Sequence, residues 1–448
     1  MMKFRYSLVF FWLTYSLPGL ADFPTAKALF EQAEYALAKP QLETLAELGH
    51  VEAQFLLSRM YAEGLGVDTD VKLAYAWTLI AKDRDHPLAD KQYSVLRSQL
   101  KSRREGKEVY TTLNNQYGKQ ALFDNLYPTP NRYVAAENRL KAITKVEPNY
   151  PSYYSRIGVN AWAVVHYDVA EDGSVENPSV VSAFPIDTIN EYVLEAIKSW
   201  RFEPPKDIYG DPVRLEMQSQ VFKVEYASGA QARKHQRDNA EYLDAILAAA
   251  NAESARYQYL HAVLAENNIV QDPEPLNWYL KAAINGSKPA QYRLAQCLIS
   301  GNGCNRDRNK AINWLHISAD GGDEKAAYLL AQELLDSKNV NFDPRKAASY
   351  LEIAALKEYL PAITDYAELL AMSTDPAVRD SQKAIRLAEQ GRAIDPNNPS
   401  LLSAMGIAFI DLGQKGRGIS MLKQAVAEAK RRNWAVENFE GLLMDYSD

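Results

Sequence analysis

Apolar and polar positions change period twice along this chain. Ala163, Val165, Tyr167 and Val169 alternate with Val164, His166 and Asp168, the two-residue period of a half-buried strand. Asp172-Gly173 closes that strand as a hairpin, because glycine tolerates positive φ. A short second strand, Ser179 to Ala183, leads to Thr188 and Glu191, spaced as a capping box that predicts a helix start. Ile189, Val193, Ala196, Ile197 and Trp200 then mark one helical face, and Pro204-Pro205 ends it. After a Gly210-Asp211-Pro212 turn, Val213 to Tyr226 reads as a long last strand. The result is a β-β-α-β unit at 146–228 inside a chain that elsewhere reads as helix.

The flanks repeat themselves. The segment around Ala290, Pro289 to Gln296, recurs 36 residues later as Lys325 to Gln332 around Ala326, and after another 36 residues at Ala362, followed by Tyr366 to Leu369. Lys310-Ala311, Lys346-Ala347 and Lys383-Ala384 open a second helix in each unit. Two helices per 36 residues predict a helical solenoid, with alanine where helices approach and Tyr, Trp and Leu filling the groove. One unit precedes the β-containing segment, at about 46–81, and four to five follow it. Tyr93 to Leu140 reads only weakly as helix.

Several separated motifs carry a resemblance. Tyr150-Pro151, Asp168 with Asp172-Gly173, Trp200-Arg201-Phe202-Glu203-Pro204 and Gly210-Asp211-Pro212-Val213 stand in the order found in the C-terminal domain of TonB-type energy transducers. The family-motif positions are thus Tyr150, Pro151, Asp172, Gly173, Trp200, Phe202, Pro204, Gly210 and Pro212. The resemblance implies a periplasmic domain whose last strand pairs with an extended segment of a partner, usually an outer-membrane receptor. A transducer places this domain last, behind a membrane anchor and a Pro-rich spacer. Here it is internal and no spacer is present, so strand pairing carries over more readily than transmission of membrane energy. The repeats resemble Sel1-like units, with Gly64-Leu65-Gly66 and Gly301-Asn302-Gly303 between helices; Asp395 to Pro399, Gly406 and Leu412-Gly413 look more like an ordinary tetratricopeptide unit.

Two surfaces of the TonB-like unit are candidates for contact. Trp162 and Val164 lie on the sheet face opposite the helix, where a free-standing domain would be polar, so they are expected to dock on the solenoid. The last strand supplies the candidate partner-binding edge: Leu215, Glu216, Met217, Gln218, Ser219, Gln220, Val221 and Phe222. Its apolar parity changes near Val221, which predicts a bulge or a change of environment there, with Glu216, Gln218 and Gln220 facing outward to blunt non-specific pairing. An edge already covered by the solenoid or by a second copy of the domain is the competing expectation.

Met1 to Ala21 carries Lys3 and Arg5, an apolar run from Leu8 to Leu17, and Gly19 and Ala21 before the break, the pattern of a cleaved secretory leader too short to span a bilayer. Cleavage would leave no stable membrane span and shift the net charge from −7 to −9, since the segment holds two cations and no acid. An acidic chain does not suit nucleic acid. Leader and TonB resemblance together point to the periplasm of a Gram-negative bacterium. Cys297 and Cys304 are the only cysteines. They read either as small buried residues of the repeat or, preferred in an oxidising compartment, as a disulfide.

Chemistry is not evident. His50, His86, His166, His235, His261 and His316 lie in different elements without a metal-binding spacing, and His166 reads as a surface residue beside Tyr167. No nucleophile elbow, phosphate loop or dinucleotide fingerprint occurs, so no catalytic, cofactor or metal site is expected. The fold class is therefore α+β multidomain: leader 1–21, helical region 22–145, TonB-like domain 146–228 and solenoid 229–448. The leading function is a non-catalytic periplasmic scaffold docking envelope proteins or peptides. The alternatives are a component of TonB-dependent transport or envelope maintenance that contacts an outer-membrane receptor, and a cell-wall-associated enzyme or its regulator.

Overall fold

The computed structural model describes residues 22–131, 140–206, 213–337, 341–432, 434 and 436–447. The expected leader and the motif residues Gly210 and Pro212 lie outside them. Helices α1 (Phe23–Glu31), α2 (Tyr35–Glu47), α3 (Val51–Glu63), α4 (Val71–Lys82), α5 (Ala89–Gln99), α6 (Arg103–Tyr117) and α7 (Lys119–Asn125) come first. The α+β unit holds β1 (Ala142–Thr144), α8 (Tyr153–Ile157), β2 (Asn160–Val169), β3 (Val175–Phe184), α9 (Asn190–Lys198), β4 (Arg201–Phe202) and β5 (Leu215–Glu225). A long α10 (Gly229–Asn251) leads into five helical pairs: α11 (Ala255–Glu266) with α12 (Pro275–Ile284), α13 (Lys288–Ser300) with α14 (Arg308–Asp320), α15 (Glu324–Leu335) with α16 (Pro344–Ala355), α17 (Leu360–Met372) with α18 (Ser381–Ile394), and α19 (Pro399–Asp411) with α20 (Lys415–Arg431). A last helix, α21, spans Glu437–Ser447.

The repeat marks have physical reasons. Ala53, Ala290, Ala326 and Ala362 are fully buried, as are Ala311, Ala347 and Ala384, so any larger side chain would push neighbouring helices apart. The lysine that opens each second helix follows an aspartate cap. Asp307, Asp343 and Asp380 accept the amides of Lys310, Lys346 and Lys383, satisfying donors that the helix start leaves free. Gly64 and Gly301 end α3 and α13 at φ 71° and 74°, left-handed caps that a side chain would strain.

β2 is the centre of a three-stranded antiparallel sheet, in the order β3-β2-β5. Its inward set, Ala163, Val165, Tyr167 and Val169, forms the domain core with Ile189, Val193, Ile197, Trp200 and Phe202. Several local expectations are corrected. β3 starts at Val175 rather than Ser179. The Thr188–Glu191 capping box does not form; α9 begins after Ile189 without a side-chain cap, and the Thr188 carbonyl accepts the Tyr154 hydroxyl at 2.7 Å. Arg201 and Phe202 form a small second sheet with β1, so the unit reaches back to Ala142. Gly173, at φ 80°, lies so close to this sheet that a Cβ would run into the Phe202 carbonyl, whose amide donates to the Gly173 oxygen at 2.9 Å.

The α+β unit is looped out between helical sections that meet each other. The chain leaving α7 lies along α13 and α14: the Trp314 indole donates to the Leu126 carbonyl at 2.8 Å, Lys310 Nζ to the Phe123 and Tyr127 carbonyls at 2.7 and 2.9 Å, and Asn305 N to the Thr129 carbonyl at 2.8 Å. Leu48, Leu122 and Leu126 join the same apolar core as the later repeats.

Two histidines make this assembly sensitive to acid. His50 caps α3 through Nδ1, which accepts the Ala53 amide at 3.1 Å, and its ring stacks on Phe23; burial pushes its pKa down to about 3. His166 lies at the seam between β2 and the solenoid rather than on a free surface. Desolvation, which outweighs the pull of Glu266, brings it to about 4, with Arg293 and Lys325 helping. Both folded values lie below the unfolded value near 6.5, so their stabilisation is complete above about pH 6.5 and is lost as pH falls toward 4. Thermal melts should show a loss on the order of 2–4 kcal/mol between about pH 7 and 4.5. His50→Asn keeps a capping side chain and should flatten part of that slope.

Candidate partner-binding site

The outer sheet face is seated on the repeats, against α10, α13 and α15. Trp162 is 7% exposed and Val164 fully enclosed, both within the core built by α10 to α20. The Trp162 indole donates to Asn239 Oδ1 of α10 at 2.8 Å, and its ring lies 6.2 Å from that of Tyr242. An apolar face at this position is thus covered by the chain's own helices.

Charge fastens the same face. Asp168, 1% exposed, accepts Lys325 Nζ of α15 at 2.8 and 3.1 Å, Asn177 Nδ2 at 3.0 Å and the Met217 amide at 2.9 Å. Burial opposes the Asp168 charge, but Lys325 and these hydrogen bonds outweigh it and hold the carboxyl below its usual range. Glu216 is enclosed by Tyr292 of α13 and Tyr359 at the start of α17, whose hydroxyls donate to its two oxygens. Arg214 joins the group, 2.7 Å from Glu176, 3.4 Å from Glu216 and 3.6 Å from Asp168. Burial penalises its charge, yet the surrounding anions raise its pKa overall.

This arrangement corrects the reading of β5. The register slips between Gln218, opposite Tyr167, and Leu215, opposite Val169, with Met217 at φ 51°, so the bulge lies at Glu216–Met217 and not near Val221. Leu215, Phe222 and Val224 pack in the domain core, whereas Met217 and Val221 pack on the solenoid. Glu216 and Gln218 are buried instead of facing solvent. The Glu216 carbonyl accepts Gln218 Nε2 at 2.9 Å and Gln296 Nε2 of α13 at 3.3 Å; the Val221 carbonyl accepts Gln220 Nε2 at 3.0 Å. Ser219 Oγ accepts Asn267 Nδ2 at 3.2 Å.

The ladder also decides which backbone groups face out. The Tyr226 amide donates to the Val159 carbonyl at 2.9 Å, and the register continues without slip to Gln218. Alternation in an antiparallel pair then turns the Val224, Phe222, Gln220 and Gln218 amides toward β2 and those of Ser219, Val221, Lys223 and Glu225 away from it. A proline at Gln218 or Gln220 would break the ladder rather than probe the edge. Among the described residues the outward amides have no backbone partner, and Lys223 and Glu225 are exposed.

The family-motif residues lie in two places, Tyr150 and Pro151 beside the start of β2 and Asp172, Gly173, Trp200 and Phe202 toward its hairpin end. Tyr150 stacks on Tyr154 and meets Tyr192 edge-on; Pro151 accepts the Tyr154 amide; Trp200 and Phe202 flank Tyr167. Asp172 accepts the Ser174 amide at 2.9 Å and the Trp434 indole at 3.2 Å, bringing the hairpin tip to the C-terminal repeats. Between tip and repeats lies a cavity of about 530 Å³, with Pro204 in its wall. Residue periodicity had no signal for this cavity, because its walls come from two stretches, Ala170 to Arg214 and Tyr328 to Trp434, far apart in the chain.

Cys297 and Cys304 are bonded at 2.04 Å, tying the end of α13 to the loop whose Gly303 carbonyl accepts the Asn131 amide. Among the described residues no group of three or more His, Cys, Asp or Glu is placed to hold a metal ion, and no helix is long and apolar enough to cross a membrane.

Asp168→Ala should cost about 3 kcal/mol, because it leaves partly buried Lys325 without its anion and removes one of the three carboxylates around Arg214; adding Lys325→Met should recover part of that in a double-mutant cycle of chemical denaturation. Replacing both cysteines by alanine should cost roughly 2 kcal/mol, the loop-closure value for so short a ring, and hydrogen exchange should rise at 126–131. Unchanged exchange there would show that the bridge does not support the contact with the N-terminal helices.

Comparison with known proteins agrees with these modules. Residues 146–224 match the Gram-negative bacterial TonB protein C-terminal family, and 51–86, 288–323 and 324–359 each match the Sel1 repeat. Protein TonB of Yersinia enterocolitica is 36% identical over 70 residues, which is 16% of this chain and 28% of that protein. Protein TonB of Escherichia coli K12 is 32% identical over 84 residues, 19% of this chain and 33% of that one. The chain thus spans a third or less of the length of these curated relatives. Among solved structures, a Sel1 repeat protein from Oxalobacter formigenes aligns over 40% of this chain and 74% of its own at 18% identity and a TM-score of 0.33. A protective antigen of uropathogenic Escherichia coli displaying an SLR fold aligns over 90% and 76% at 15% identity and a TM-score of 0.35. The chain therefore combines Sel1 repeats with an internal TonB C-terminal-like domain.

Proposed function

We propose that this chain is a non-catalytic protein-interaction scaffold of the Gram-negative cell envelope, exported by its leader to the periplasm. The observation that carries this reading is the seating of the TonB-like sheet on the repeats. It joins two interaction modules into one body and, among the described residues, leaves open the outward amides of β5 from Ser219 to Glu225 and the cavity under the hairpin. The match to TonB proteins of Gram-negative bacteria and the disulfide support the compartment. An extended segment of an envelope partner adds to the outer half of β5, where an edge strand offers unpaired backbone groups. Because residues 146–224 match the TonB family, a second reading stays specific: the added segment belongs to an outer-membrane receptor, and the chain serves a TonB-dependent uptake system.

Lys223→Pro tests the proposal directly. Its amide points away from β2, so proline there removes an outward donor and spares the ladder. Affinity capture from envelope extracts of the producing bacterium should return a reproducible set of proteins with the native chain, and the variant should lose them at an unchanged melting temperature. Recovery of an outer-membrane receptor in that set selects the second reading. Equal capture by the variant would overturn strand addition.

A further inference from the structure

The cavity under the hairpin shows a charge imbalance that the rest of the protein does not relieve. Its arginines are engaged: Arg214 with Glu176, Glu216 and Asp168, and Arg432 with Asp395 through two hydrogen bonds of 2.7 and 2.6 Å. Asp172 is taken by the Ser174 amide and the Trp434 indole. Glu171, at the tip of the TonB-like hairpin, and Asp365, on α17, line the cavity with no cation partner among the described residues. Asp365 accepts only neutral donors, the Tyr328 hydroxyl at 3.1 Å and the Gln332 amide. Lys206 stands exposed at the rim.

Two further observations favour a peptide over a bare ion. The Nε atom of Arg432, at the cavity wall, is buried without a hydrogen-bond acceptor, and a peptide carbonyl supplies one. Asp365 also borders a second cavity of about 340 Å³ that runs over Leu369 and Met372, the latter 39% exposed. The two spaces share Asp365 and together form a groove with an acidic centre and an apolar end.

Resting on the scaffold reading, we propose that this groove binds an extended partner segment by a lysine or arginine side chain held between Glu171 and Asp365, one carboxylate from each module. The site exists only while the hairpin is seated on the repeats, so recognition requires both. Burial first, then Glu368 on the same helix and Glu171 across the cavity, raise Asp365 to about 8, against the Tyr328 and Gln332 hydrogen bonds. Burial likewise raises Glu171, against its own backbone hydrogen bond and Arg214. Asp365 is therefore largely protonated at neutral pH in the empty groove and must release its proton when a cation enters. Affinity rises with pH from about 6.5 to 8.5.

The test uses the full chain and a fluorescent capped heptapeptide, acetyl-Ala-Leu-Ala-Lys-Ala-Leu-Ala-amide, beside versions with arginine or glutamine at the centre. The lysine and arginine peptides should bind at least about tenfold more tightly than the glutamine peptide, the loss expected for one charge-assisted hydrogen bond. Asp365→Asn, which keeps a side chain able to bond Tyr328, should remove that preference and its pH dependence. Glu171→Lys, on the exposed hairpin tip, should abolish binding at an unchanged melting temperature. Equal binding of lysine and glutamine peptides, or tight binding of calcium or magnesium ions in place of the peptide, would overturn the proposal. If envelope partners are still captured in that event, the scaffold reading stands without it; if neither partners nor peptides bind, both fall.

Discussion

The contact between a small acidic patch and the repeats organises everything else. Asp168 and Glu216 are carboxylates withdrawn from water, and each is tolerable only because the solenoid answers it: Lys325 for one, the hydroxyls of Tyr292 and Tyr359 for the other. Buried charge is a poor source of net stability but a strict source of geometry, since a shift of one residue in register would leave anions unpaired in a dry interface. Trp162, Val164, Met217 and Val221 supply apolar area around it. Hydrophobic burial holds the sheet on the repeats, and the charges decide where.

Placement has two consequences. A repeat solenoid commonly binds ligands along the helices of one face, and here α13 and α15 are engaged by the chain's own sheet. What remains of β5 for others is the lateral edge beyond Ser219, because Gln218 and Gln296 donate to the Glu216 carbonyl at the bulge. At the other end, the seated sheet carries Asp172-Gly173 against the C-terminal repeats, and a cavity arises that neither module has alone.

The inserted position of the α+β unit ties its placement to the N-terminal helices. Were α1 to α7 independent, the insertion would be a flexible junction. Instead Trp314, Lys310 and the disulfide-tied loop hold the chain leaving α7, and Leu48, Leu122 and Leu126 join the core of the later repeats while α3 and α4 pack in a core of their own. Entry and exit of the TonB-like unit are both anchored on one rigid body.

Local order was legible wherever near neighbours in sequence set it. The alternation around Val165, the Asp172-Gly173 turn, the face of α9 and the alanines spaced by 36 residues each reflect a periodicity or a backbone need that a single segment expresses. Other local features were not. β1 and β4 have three and two residues, too few for a pattern, and β3 was cut short in the reading by Asn177 and Pro178, residues with little strand preference. Thr188 had the right spacing for a cap, but its carbonyl was claimed by Tyr154 and the helix started later. Glu216 and Gln218 looked like the polar outer face of an edge strand, and nothing within the strand says otherwise. Their environment comes from Tyr292 and Tyr359, 76 and 143 positions from Glu216, and Asp168 meets Lys325 157 positions away. The sequence by itself determined the two modules, their order and their repeat; only the tertiary structure decided which face of the sheet is free, because that depends on which distant side chains can neutralise its buried carboxylates.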